Sequence, residues 1–205
     1  MAPSEPTALV ALPVRSFHEA KGRLAGEVDP DLRTALAEAM AARCATAARR
    51  AGAQVVVVTA DPAVVRWARS IGIEALHQDD HLPGLDGAAA LAARTASGRD
   101  LAWAVLHADL PLVTAASVAA ALAGPGPKIA PSYDGGTNLL VGTGPAFPFA
   151  YGPGSFARHL RAAPGARVVI DHHLACDLDR PEDLARLGGV PGGDWLQPLL
   201  AEALR

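Results

Sequence analysis

The chain has 205 residues, half of them hydrophobic and 19% charged, with a net charge of −3. That length supports one domain with a sizeable core, and the composition is that of a folded globular chain rather than a disordered one. The slightly acidic balance excludes a protein whose main work is to coat nucleic acid or an acidic membrane.

The first apolar run, "TALVALPV", stops at Pro13 and suits a buried strand. "DPDLRTALAEAMAARCATAARRAG" predicts a long helix capped by Asp29 or Asp31 and stopped by Gly52. "QVVVVTAD" has four consecutive valines, as a central parallel strand covered on both faces requires. "DPAVVRWARSIG" reads as a helix, "IEALHQ" as a weaker strand and "LDGAAALAARTASG" as a third helix. "LAWAVLHADLPL" is a buried strand that ends by presenting Asp109, and "TAASVAAALAG" is the helix after it. This alternation predicts a parallel sheet with right-handed crossovers.

The regularity breaks after "GPGP". "KIAPSYDGGTNLLVG" predicts two antiparallel strands around a glycine turn, and "GPGSFARHLRAAPG" a helix. "ARVVIDHHLACDLDRPEDLARLG" gives a strand, a polar carboxylate-rich loop and a short helix with an acidic first turn. "DWLQPLLAEALR" suggests a final surface helix. The expectation is a single α/β domain over residues 1–205, Rossmann-like and three-layered. Its sheet is mostly parallel with an antiparallel edge, its core runs from about 8 to 187, and 188–205 form a helical tail.

No run reaches the roughly 18 apolar residues of a membrane span. The start "MAPSEPT" carries no basic segment and no secretory core, so the expected compartment is the cytoplasm. Cys44 and Cys176 read as reduced thiols there.

In open α/β sheets ligands bind beyond the carboxyl ends of the strands, and four polar segments fall on that side. "RSFHEAKGRLAG" supplies Arg15, Lys21 and Arg23, cations suited to phosphate oxygens, or else a solvated basic loop. It is neither a Walker loop nor a GxGxxG turn. "HADLP" offers Asp109 as a cation ligand or simply as a strand end. "CDLDRPEDL" puts Asp177 and Asp179 two apart, on one side of an extended chain where both could meet one cation. Helix capping explains one of these aspartates, not both. "DGGTNLL" and "YGPGSFARH" pair glycines with Thr137 and Ser155, the latter at a helix start where free amides favour an anion. Both stretches also read as ordinary turn and cap residues.

Taken in order, "PVR", "EAKGRLA", "VVVVTAD", "GLDGAAALAA", "HADLP", "GGTNLL", "YGPGSFARH" and "CDLDRPEDL" resemble the phosphoenolpyruvate or 2-phospho-L-lactate guanylyltransferases of deazaflavin coenzyme F-420 biosynthesis. These belong to the wider MobA-like nucleotidyltransferases, with a nucleotide-diphospho-sugar transferase-like fold. The resemblance covers about residues 8 to 187. It implies transfer of GMP from GTP to a small phosphorylated three-carbon acid, the product passing to a downstream transferase, with neither nucleic acid nor membrane as partner.

By the same resemblance Asp109, Asp177 and Asp179 hold magnesium, and Thr137, Gly152 and Ser155 hold the acid. Lys21 and Arg23 lie at the nucleotide phosphates and, with Asp109, carry the catalysis; Arg15 and Asp86 complete the nucleotide site. Three positions depart from the family pattern. Arg15 replaces a lysine, Asp86 an amide, and Arg180 a small polar residue. Phosphoenolpyruvate is the expected acceptor. The alternatives are 2-phospho-L-lactate, another small phospho-acid, a MobA-like transferase with a different acceptor, and a nucleotide-binding protein without transferase activity.

Overall fold

The computed structural model describes residues 6–79 and 81–198. The elements run β1 (Ala8–Pro13), α1 (Pro30–Arg50), β2 (Gln54–Thr59), α2 (Pro62–Ser70), β3 (Glu74–His77), α3 (Gly84–Ser97), β4 (Ala102–Leu106) and α4 (Ala115–Leu122). β5 (Lys128–Pro131), β6 (Thr137–Gly142), α5 (Ser155–Ala162), β7 (Arg167–Val168), α6 (His172–Ala175) and α7 (Pro181–Gly188) follow. The helix starts are written locally. Asp29 accepts from the Asp31 amide at 2.8 Å and Asp61 from the Ala63 amide at 2.7 Å, each just ahead of a proline that opens the helix.

The sheet order is β3-β2-β1-β4-β6-β5-β7. β1 pairs in parallel with β2 and β4, β2 with β3, and β5 with β7, whereas β6 runs antiparallel to both β4 and β5. The reversed strand therefore lies inside the sheet, not at the edge where the sequence suggested it. The cause is in the connections. The crossover through α4 carries the chain from β4 past one open position to β5. The glycine turn of 132–136 then folds β6 straight back into that gap.

Alternation along the strands covers both faces. Val10, Leu12, Val57 and Leu106 pack under α1, α2 and α4, while Leu9, Val56, Trp103 and Val105 pack under α3 and α5. This is the expected three-layer arrangement. α3 meets the sheet through Ala88, Ala89, Ala92, Ala93 and Ala96, all buried, and their small side chains bring its backbone close. Trp103 fills the space beside them. It lies edge-on to Phe147 and Phe149 and donates from Nε1 to the Gly144 carbonyl at 2.9 Å.

A third cluster joins Leu24, Leu36, Met40, Leu112, Leu178 and Leu196, and Trp195 Nε1 donates to the Pro111 carbonyl at 3.1 Å. The packed region thus reaches past residue 187 to Leu196. Residues 194–196 form a 3-10 turn, and 199–205 of the expected final helix lie outside the described residues. α6 falls within the stretch read as loop. Its single turn is nucleated by Asp171, whose side chain accepts from the His173 and Leu174 amides. Among the described residues no helix is long and apolar enough to cross a membrane.

Candidate active site

β1 and β4 pair in register up to Ala11 and Val105, so the segments that follow them emerge at one edge of the sheet. Lys21 sits there in the left-handed region, φ 57 and ψ 37, a conformation that costs a non-glycine residue about 1–2 kcal/mol. Its Nζ donates to Asp109 Oδ2 at 2.8 Å and to Asp179 Oδ1 at 2.9 Å, and Arg23 Nη1 donates to Asp179 Oδ2 at 3.3 Å. The Leu178 amide donates to the Asp109 carbonyl at 3.2 Å, fastening 177–179 against the end of β4. Helix capping does not compete for these groups. Asp183 Oδ2 accepts from the Asp179 and Arg180 amides at 3.0 and 2.9 Å, leaving the Asp179 carboxylate to the lysine.

The Lys21 side chain is only 7% exposed. Burial opposes its charge, but Asp109 and Asp179 outweigh that and hold its pKa above the ordinary lysine value. Burial likewise opposes ionisation of Asp109, yet Lys21 and His107 keep its carboxyl below the usual range. Asp177 goes the other way: burial, then repulsion from Asp109 and Asp179, push it up to about 6. Asp109 Oδ1 and His107 Nε2 are buried without hydrogen-bond partners. Among the described residues no three His, Cys, Asp or Glu side chains converge as a ready metal cage, and the Lys21 ammonium lies between Asp109 and Asp179. The donor set nonetheless fits a hard divalent cation. It consists of carboxylate oxygens, one orphaned and one short of compensating charge.

A cleft of about 360 Å³ opens over this network, lined by Pro13, Arg15, Lys21, His107, Asp109 and Asp179. A second of about 650 Å³ adjoins it through Pro13, Arg15 and Leu85, with Gln78, Asp79 and Gly84 beyond. Gln78 Nε2 shapes its rim by donating to the Leu82 and Gly84 carbonyls at 2.9 and 2.7 Å. Arg15 is exposed at the mouth, 3.5 Å from Glu19. Asp86 lines neither space. Its Oδ1 accepts from the Tyr151 amide at 2.8 Å, tying α3 to the segment that precedes α5.

Because β6 is reversed, it begins where its neighbour β4 ends, and the His107 amide donates to the Asn138 carbonyl at 2.9 Å. Thr137 thus opens β6 beside the Asp109 loop. Thr137 Oγ1 lies 3.0 Å from His159 Nδ1 and accepts from Ser155 Oγ at 3.2 Å, and the Ala150 amide donates to His159 Nε2 at 3.0 Å. Gly152, at φ 108, makes the turn toward α5, and the Arg158 guanidinium donates to the Ala150, Tyr151 and Pro153 carbonyls around it.

The first amides of α5 are not free, as the sequence suggested. Ser155 donates to the Gly152 carbonyl at 3.0 Å and Phe156 to that of Gly135 at 3.2 Å. The sequence reading gave no role to His107 or His159 and passed over Asp134, whose carboxylate accepts from the Gly136 amide at 2.9 Å. For His159 a signal existed: it stands four residues after Ser155, one turn along the same helical face.

The Guanylyl transferase CofC like family matches residues 8–189. The chain is 44% identical over 194 residues to the phosphoenolpyruvate guanylyltransferase of Rubrobacter xylanophilus, spanning 87% of this chain and 94% of that one. It is 34% identical over 187 residues to the 2-phospho-L-lactate guanylyltransferase of Natronomonas pharaonis, covering 87% and 86%. A Desulfovibrio desulfuricans protein whose name puts it among the nucleotide-diphospho-sugar transferases shares the fold, with a TM-score of 0.74 at 16% identity over 97% of each chain. With the Lys21-bridged carboxylates at the sheet edge and a matching profile from residue 8 to 189, the chain belongs to the CofC-like guanylyl transferase family of nucleotidyltransferases.

Proposed function

We propose that the chain transfers the guanylyl group of GTP to the phosphate of phosphoenolpyruvate and releases pyrophosphate, with magnesium among Asp109, Asp177 and Asp179. The observation that carries this reading is the bridge from Lys21 to Asp109 and Asp179, which line one cleft at the ends of β1 and β4. A phosphate oxygen of the acceptor attacks the α-phosphorus and the β,γ-pyrophosphate leaves in line, so no protein nucleophile is needed. The two buried cysteines are consistent with that, since desolvation pushes the Cys44 thiol up to about 12 and raises that of Cys176. What the protein must do is hold two mutually repelling anions together and offset charge as it develops.

Lys21 and Arg23 stabilise the leaving pyrophosphate. Thr137, Gly152 and Ser155 hold the acid, and the base fits the wider space bounded by Gln78, Gly84 and Leu85. Asp109, Asp177 and Asp179 would hold a magnesium ion, which would supply positive charge to offset that of the phosphates. The acceptor is taken as phosphoenolpyruvate because the relative at 44% identity is named for it, against 34% for the 2-phospho-L-lactate enzyme. The product, a mixed anhydride of GMP, is activated for a downstream transferase in the route to coenzyme F-420.

Pyrophosphate release tests this across GTP, ATP and CTP with phosphoenolpyruvate or 2-phospho-L-lactate. GTP with phosphoenolpyruvate is expected to be fastest. Asp109→Asn is expected to lose about 100-fold or more in kcat with its fold retained, on the scale of removing one preorganised charge from such a site. Turnover at the wild-type rate in that variant overturns the reading.

A further inference from the structure

We propose that His159 is a positioning residue that sets which way the Thr137–Ser155 hydroxyl pair faces, so that the pair offers a proton rather than lone pairs to an anionic acceptor; this rests on the reading of Thr137 and Ser155 as the acceptor site. His159, Thr137 and Ser155 are each no more than 1% exposed, so their hydrogen bonds are decided within the protein. The Ala150 amide can only donate, and it points at His159 Nε2 at 3.0 Å. Nε2 must therefore be the bare nitrogen, and in the neutral ring Nδ1 carries the hydrogen. Burial keeps the ring neutral by lowering its pKa to about 4.

The consequence follows from counting protons. Nδ1–H donates to Thr137 Oγ1 at 3.0 Å, and Ser155 Oγ donates to the same oxygen at 3.2 Å. Both lone pairs of Thr137 are then used, and its own hydrogen has nowhere inward to go. With the opposite tautomer Thr137 would donate to the ring and Ser155 to Thr137. Both protons would be consumed internally, and the pair would turn only lone pairs toward a carboxylate or phosphate. The Ala150 amide thus fixes the sign of the pair from about one ring-width away. The Ser155 and Phe156 amides are already bonded to the Gly152 and Gly135 carbonyls, so neither of those two donors supplements the hydroxyl hydrogen.

The test uses the full chain with phosphoenolpyruvate and GTP. His159→Gln keeps an acceptor near the Nε2 position and loses the donor to Thr137. His159→Asn keeps a donor near the Nδ1 position and loses the acceptor. The expected result is a rise of about ten-fold in the phosphoenolpyruvate KM for H159Q, the size of one hydrogen bond to a charged group, with the GTP KM unchanged. H159N is expected to restore the phosphoenolpyruvate KM despite a lower melting temperature. Equal KM losses in both variants, tracking their melting temperatures, overturn the proposal. Nitrogen-15 NMR of the wild-type histidines gives a readout independent of any variant, because a hydrogen on Nε2 of His159 also overturns it. Thr137→Val separates the two levels. If it leaves the phosphoenolpyruvate KM unchanged the acceptor site itself is misassigned. If it raises that KM while H159Q does not, only the role of His159 fails.

Discussion

At Lys21 a single residue carries two costs, a left-handed backbone and a nearly buried charge, and both are held in place by Asp109 and Asp179. Lys21→Met removes the cation and leaves the carboxylates facing one another. Loss of about 2 kcal/mol in urea unfolding is expected, within the range for breaking a partly buried pair, together with loss of pyrophosphate release. Magnesium added without GTP is expected to raise the melting temperature of K21M more than that of the wild type. Equal shifts in the two proteins count against a cation site at these carboxylates.

His159 gives a pH dependence of opposite origin. The folded ring, faced by Asp86, Arg158 and His107, titrates near 4 because burial disfavours its charge, against an ordinary value of 6.5. Below pH 6.5 the unfolded chain binds a proton that the folded ring refuses. Stability is therefore lost as pH falls from about 6.5 to about 4, by roughly 3 kcal/mol at most, and no further below that. The difference in unfolding free energy between wild type and H159Q, followed across this window, isolates the effect; parallel curves refute it.

Residues of this kind differ in how far sequence exposes them. Lys21, Asp109 and Asp179 were legible because each follows a clear strand or precedes a clear helix, on the ligand-binding edge. Asp86 shares that edge in sequence, but its side chain turns to the Tyr151 amide, a contact across 65 residues that no spacing reveals.

Among the elements, α1 through α4 and β1 through β4 could be read directly, because caps, stops and buried runs coincide there. The later elements are short. α6 is four residues and β7 two, too few for any periodicity to register. The place of β6 inside the sheet depends on which gap the α4 crossover leaves, a tertiary fact. Its end is sharply constrained: a Cβ at Gly142 would lie 2.4 Å from the Trp103 ring. Gly142→Ala is therefore expected to cost about 1–3 kcal/mol by overpacking, seen as roughly 2–4 °C of melting temperature per kcal/mol for a chain of this size. Adding Trp103→Phe, which shortens the ring facing that carbon, should recover part of the loss. Additive penalties in the double variant would show that the two positions do not compete for the same space.

For the molecule as a whole, alternating strands and helices specified the layers and brought the segments after β1 and β4 together, which is why Lys21 reaches both Asp109 and Asp179. What connects those parts was hidden. Segment 143–154 has no regular structure, yet Trp103, Asp86, His159 and Arg158 each bond to its backbone. The reversed strand that precedes it sets a stricter condition. Neighbouring side chains on β6 point to opposite faces: Thr137 meets His159, while Asn138 donates to the Leu174 carbonyl on the other side. A slip of one residue would bring Asn138 to the place of Thr137 and Leu139 to that of Asn138, seating an amide against the imidazole and an isobutyl group where the Leu174 carbonyl needs a donor. Parity along six residues thus decides the chemistry of that wall, and length changes within β6 can be accommodated in pairs but not singly.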